Sequence, residues 1–220
     1  MNSIFCKENE NLISSFKSDI LKSLNSEFVK KIKYDNSITP RIVGDLAEGF
    51  IKKIFSNSLP KDIGTFINEE LGRRAMADFA FNDIYNNYIV VDVKAHNKNT
   101  KFNMPNITSV ERLSKFYYKN DNNIFSLLMV SYDKNTNKFS DIYFIPIEYL
   151  DWSCLNIGAL GWGQIQIANY NNKIINKNQT KKEWMLNMIK SLKEFYPKEI
   201  DKIHERLKYF ESIEKYWRSK

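Results

Sequence analysis

Asp78, Asp92 and Lys94 are the residues of this chain whose types and spacing could do chemistry. Asp78 lies in Arg73-Arg74-Ala75-Met76-Ala77-Asp78-Phe79, and the other two lie in Tyr88-Ile89-Val90-Val91-Asp92-Val93-Lys94-Ala95-His96. The polar segment from Asn82 to Asn87 predicts a turn between them. Asp78 then begins one strand, and Asp92 ends the strand that returns beside it. A hairpin of that length brings two carboxylates and an ammonium to one end of a sheet. Such a set suits a hard divalent cation, because Mg2+ is commonly held by one or two carboxylates together with waters and phosphate oxygens of a substrate. The cation polarises the phosphate and lowers the pKa of a bound water. Lys94 can position or deprotonate the nucleophile and stabilise developing negative charge. Taken alone, an acid-x-lysine triplet also reads as an ordinary ion pair at a strand end.

The elements that must position these groups are legible in the surrounding pattern. Ile89-Val90-Val91-Asp92-Val93 is a β-branched run, as expected of a strand buried on both faces. A carboxylate inside such a run is costly without a partner, and Lys94 alternates onto the same face. Before the hairpin, Leu12, Ile13, Phe16, Ile20, Leu24 and Ile32 predict an amphipathic helix over about 10–33. Asn36 to Pro40 breaks it, a second helix follows over about 41–56 carrying Glu48, and Pro60 to Gly64 is a connection. After the hairpin come a polar loop over 96–106 and a helical segment over 107–118. Strands follow over 124–132 and 139–147, with a short helical turn at 147–150. The stretch 153–163 is punctuated by glycine, and Gln164-Ile165-Gln166-Ile167 alternates like a strand. Thr180 and Glu183 have capping-box spacing for a last helix. Pro197 is expected to interrupt that helix, and an apolar stripe at Ile200, Ile203, Leu207, Phe210, Ile213 and Trp217 runs on to the C-terminus. The stripe, with Trp184, Met188 and Leu192, reads as core or as dimer packing; the N-terminal segment, residues 1–40, is another possible dimer surface. The pattern predicts one α/β domain over 1–220, a central mixed β-sheet flanked by helices.

Composition is compatible with this. The chain has 220 residues, 43% of them hydrophobic, and a net charge of +7, which suits a polyanionic partner as well as an ordinary lysine-rich surface. The basic residues Lys30, Lys31, Lys33, Lys52, Lys53, Arg73, Arg74, Lys181 and Lys182 are spread out. Two cysteines, Cys6 and Cys154, give neither a disulfide framework nor a zinc site, and a reducing cytoplasmic compartment is expected. No signal-peptide pattern appears, and no apolar run approaches the roughly 20 residues that span a bilayer, so no membrane is expected.

Several residues near the hairpin read as binding groups. Glu48 either orients the metal site from the neighbouring helix or is a surface glutamate. Ser109 and Arg112 fall at a predicted helix N-terminus, a natural place for a phosphate. In Ala159-Leu160-Gly161-Trp162-Gly163 the glycines let backbone approach base edges, although Trp162 reads equally as core. Asn97, Asn103 and Asn106 lie in a loop that is either solvated or able to pair with adenine.

Asp78…Asp92-Val93-Lys94 resembles the core of the PD-(D/E)xK nucleases, and more of the chain resembles type II restriction endonucleases of the HincII/EcoRV-like branch. Gly44-Asp45-Leu46-Ala47-Glu48 is similar to that family's glutamate-bearing helix. Asp92 to Asn97 with Pro105-Asn106-Ile107 is similar to its catalytic strand and recognition segment. Gln164-Ile165-Gln166 and Thr180 to Trp184 resemble its late strand and last helix start. Ala77 replaces the proline of the motif, His96 stands where an arginine is usual in that branch, and the 158–163 stretch differs. The resemblance covers roughly 41–217. It implies a restriction-endonuclease-like core and a bacterial, homodimeric, Mg2+-dependent enzyme that cuts a short palindrome in double-stranded DNA and leaves blunt ends. It also implies the Val93 carbonyl as a metal ligand and selects Asn106, with Asn97, as DNA contacts. A structure-specific repair or recombination nuclease, and a non-catalytic DNA-binding protein on a nuclease scaffold, are the alternatives.

Overall fold

A computed structural model describes residues 2–28, 40–67, 75–99, 105–168 and 170–220. Lys30, Lys31, Ile32, Lys33, Arg73, Arg74 and Asn103 lie outside the described residues. The fold is α/β. Five strands form the central sheet: β1 (Gly64–Ile67), β2 (Phe79–Asp83), β3 (Tyr88–Asn97), β5 (Ile124–Asp133) and β6 (Lys138–Pro146), in the order β1-β2-β3-β5-β6. The sheet is mixed, because β3 and β5 run parallel while all other neighbours are antiparallel. The crossover between the parallel pair carries β4 (Asn106–Ser109) and helix α3 (Val110–Lys119). β4 belongs to a second sheet with β8 (Gln164–Ile167) and β7 (Leu155–Gly158), in the order β4-β8-β7.

The alternation of β3 assigns its two faces. Ile89, Val91 and Val93 point into an apolar cluster with helix α1 (Glu10–Ser23) and helix α2 (Pro40–Ser58). Phe55 of α2 lies at its centre, 4.6 Å from Phe79 and 5.0 Å from Phe16 between ring centroids. The apolar stripe of α1 (Ile13, Phe16, Ile20) is buried in this cluster, within the chain itself. Val90 points the other way, into a cluster formed by α3, the second sheet and the start of helix α4 (Lys181–Arg218). Asp92 and Lys94 share that second face with Val90, so these two candidate residues lie on the side covered by α3 and the second sheet.

The hairpin joining β2 to β3 is pinned from inside. Asp83 accepts hydrogen bonds from the N–H groups of Tyr85 and Asn87, from the Asn87 amide and from Ile4 N–H. Asn86 takes the left-handed conformation (φ 62°) that asparagine tolerates. The turn is therefore 84–87, tighter than the polar run suggests, and Asp83 is a buried strand end.

Other boundaries depart from expectation for identifiable reasons. α1 ends at Ser23 and passes into a π turn at Leu24–Phe28. The 107–118 segment is helical only from Val110, because Asn106, Thr108 and Ser109 pair with β8, with Ile107 at the irregularity between them. Pro197 does not end α4, which runs unbroken from Lys181 to Arg218 behind the predicted Thr180–Glu183 capping box. A proline removes one intrahelical hydrogen bond and bends a helix locally, which a long helix can absorb. No described helix is long and apolar enough to cross a membrane.

Candidate active site

Strand geometry brings Asp78 and Asp92 together. The N–H of Asp78 donates to the Val91 carbonyl (2.9 Å), extending the β2–β3 ladder one residue beyond Phe79. Its carboxylate accepts the Val93 N–H at 2.6 Å, which fixes the side chain beside β3. Val91 and Val93 thus turn their backbone polar groups towards β2, and strand geometry puts the Val93 carbonyl on this same side. Asp92 does not end its strand as expected. β3 continues to Asn97 because its parallel pairing with β5 runs from Ile89 to Asn97. The two acids meet where the shorter strand β2 begins.

Asp92 is 5% exposed. Its Oδ1 accepts from Lys94 Nζ at 2.8 Å. Its Oδ2 is buried and has no hydrogen-bond partner among the described residues. Burial pushes the Asp92 carboxyl up to about 7; Lys94 pulls against this, and the charges of Asp78 and Glu48 add to it. Glu48 projects from α2, half-buried, near enough for its charge to be felt at Asp92. The four groups named from sequence therefore form one electrostatic unit, with excess negative charge and a buried oxygen short of a partner.

These acids open onto a cleft of about 540 Å3. Asp78, Asp92, Ser109, Arg112, Leu160, Gly161 and Trp162 all line it. Ser109 is the N-cap of α3, and its side chain makes no capping hydrogen bond. Arg112, one turn on, reaches the Ala75 carbonyl at 3.4 Å across the mouth. Leu160 and Trp162 are 64% and 61% exposed, so Trp162 is not core. The Trp162 loop is shaped by left-handed glycines, with φ +58° at Gly161 and +116° at Gly163. At Gly163 a Cβ would come within 2.8 Å of the Ile157 side chain, and its carbonyl accepts the Val110 N–H. Gly163 thus supports the loop from beneath, and Ala159 is exposed at its start.

Four expected DNA contacts, Asn97, Asn106, Ala159 and Gly163, are not among the residues lining the cleft. Asn97 falls on the opposite face of β3 from Asp92, with Val93 and Ala95, and its side chain accepts the Asn99 N–H. Asn106 is exposed at the start of β4 and bonds Gln166 at 2.6 Å. Three polar residues that the sequence reading did not select do line the cleft: Thr108, Glu111 and Gln164. Gln164 was legible, since burial of Ile165 and Ile167 turns the glutamines of β8 to the other face. His96 shares the face of Lys94, but it is buried and stacked on Tyr170 at 4.0 Å.

The donor set fits Mg2+ better than a softer metal. Among the described residues no three His, Cys, Asp or Glu side chains gather to hold an ion. Mg2+ needs only one or two carboxylates, completing its shell with water and phosphate. The unpartnered Asp92 Oδ2 is the atom such an ion would satisfy. No protein-family model matches the chain, and no curated protein matches it significantly.

Proposed function

We propose that this chain is a Mg2+-dependent type II restriction endonuclease with a restriction-endonuclease-like core, hydrolysing double-stranded DNA at a short palindrome. The observation that carries the reading is the position of Asp92: a buried carboxylate with one unsatisfied oxygen, beside Asp78 and Lys94, lining an open cleft.

In this reading Asp78, Asp92 and the Val93 carbonyl would hold the ion, which would supply Lewis-acid polarisation of the scissile phosphate and a more acidic water. Lys94, held by Asp92, positions the nucleophilic water and stabilises charge building on the phosphate oxygens. Glu48 orients the acidic group from α2. The water oxygen, having given a proton to solvent, bonds to phosphorus as the bond to the 3′ oxygen breaks; that oxygen takes a proton from solvent, leaving a 5′-phosphate and a 3′-hydroxyl. Ser109 at the start of α3 and Arg112 take a flanking phosphate, which suits a helix N-terminus. The exposed loop from Ala159 to Trp162, supported from beneath by Gly163, approaches the bases. A homodimer presents the same surface to both half-sites, so palindromy follows from two-fold symmetry; cutting at the centre leaves blunt ends.

The test is incubation with mixed-sequence duplex DNA in Mg2+ and in Ca2+, followed by sequencing of the ends. Discrete blunt fragments sharing one palindrome support the reading. Cutting confined to junctions or flaps points to a repair or recombination nuclease, and binding without cutting to a non-catalytic DNA-binding protein.

A further inference from the structure

Helix α4 has two apolar faces, and the chain uses only one. Trp184 and Met188 are buried against the body of the protein, and Leu192, Phe195 and Glu199 continue that face half-covered. From Ile200 onwards every residue is exposed except the half-buried Ile213. A second face begins within the same turns. Ile189, Tyr196, Ile203, Phe210 and Trp217 recur every seven residues. Leu186, Ile200 and Leu207 stand three residues before the next of these, as do Lys193 and Glu214. This is an a/d heptad register over more than four heptads, with a at Leu186 and d at Ile189. All eight apolar members are between 40% and 68% exposed.

An isolated helical extension of this length is marginal in water unless an apolar face is covered. A contiguous exposed apolar seam marks an interaction surface. The charges on the seam indicate what covers it. A parallel, in-register pair would oppose Lys193 to Lys193 and Glu214 to Glu214 across the interface. An antiparallel pair of the same helix turns Lys193 towards Glu214 of the second copy. It also sets the flanking Lys190 near Glu211 and Glu199 near Arg206. These three pairings share a centre within one helical turn, close to Ile200–Ile203. In the single chain Glu214 bonds Arg218, and Glu199 bonds Lys202, on the same helix.

We propose that α4 forms an antiparallel two-stranded coiled coil with α4 of a second copy of this chain, along the seam from Leu186 to Trp217. The inference deepens the dimer required by the proposed function, but it rests on the helix alone. The seam adjoins the cleft, since the hydroxyl of Tyr196 donates to the Trp162 carbonyl at 2.7 Å. Pairing would therefore form next to the loop proposed to approach DNA.

The experiment is sedimentation equilibrium of the full chain without DNA or divalent cation, so that its outcome is independent of nuclease activity. Wild type is expected at twice the chain mass, and Leu207→Glu at the chain mass with its helical circular dichroism largely kept. Lys193→Glu and Glu214→Lys are each expected to weaken pairing at least about tenfold, and the double exchange to restore it. A wild type that stays monomeric, a dimer indifferent to both Leu207→Glu and Ile203→Glu, or a double exchange no better than either single variant overturns the proposal.

Discussion

Replacing Asp92 by asparagine should make the cation-free protein more stable at alkaline pH while destroying its proposed chemistry. Burial moves the Asp92 carboxyl from 3.8 to about 7. The folded chain therefore holds this proton across a window in which the unfolded chain has released it. Folded molecules bind more protons there, so stability is fully present below about 4 and falls as pH rises through 7. At about 1.4 kcal/mol per pH unit, the whole window is worth at most about 4 kcal/mol, of which about 3 kcal/mol lies between pH 5 and pH 8. The asparagine side chain carries no charge at any of these pH values and does not incur this loss. Urea denaturation of both proteins in a chelator, at pH 5, 6, 7 and 8, should give a gap that widens with pH in favour of Asp92→Asn. Parallel stability curves would refute the reasoning, because they would mean that Asp92 ionises in the fold as easily as in water.

Ca2+ should raise the melting temperature of wild type, by an amount equivalent to about 2.7 kcal/mol at a hundredfold excess over its dissociation constant, and should leave Asp78→Asn unmoved. Its apparent affinity, followed by calorimetry, should drop about tenfold from pH 8 to pH 6 as the Asp92 proton competes with the ion. Arg112→Ala should weaken duplex binding by a similar factor on every sequence and reduce the slope of log affinity against log salt by about 1, measured by fluorescence anisotropy. Asn97→Ala should leave DNA affinity within about twofold of wild type, because the residue lies on the far face of β3; a loss comparable to that of Arg112→Ala would contradict this placement.

The parts of the fold that read clearly from sequence are those whose signal is local. Thr180 and Glu183 form the capping box that their spacing indicates, and Gln164–Ile167 is the strand that its alternation indicates. Strand β3 was recognisable from its β-branched run, but its length was not. Its continuation to Asn97 depends on pairing with β5, more than 30 residues away in the chain. The same extension decides the site: with β3 running on, the two-residue period turns Asn97 away from Asp92. Strands β1 and β4 are as short as β8, but Gly64-Thr65-Phe66-Ile67 and Asn106-Ile107-Thr108-Ser109 lack its clean polar–apolar alternation, and both exist through partners distant in sequence. Ile107 reads as helical because it falls three residues before Val110 and six before Leu113, a spacing that a preceding strand can mimic. Asp78, Asp92 and Lys94 were legible because charged groups in or beside a buried apolar strand need a purpose. Glu111 and Thr108 were not, since their place in the cleft depends on how α3 and the second sheet pack over the first.

The most direct test is conversion of supercoiled plasmid by wild type, Asp92→Ala and Lys94→Ala, in Mg2+ and in chelator. Wild type should linearise the plasmid only when Mg2+ is present, and both variants, folded by circular dichroism, should be slower by at least about a hundredfold. Cleavage that persists in chelator, or either variant cutting at the wild-type rate, would contradict a hydrolytic centre built on these residues.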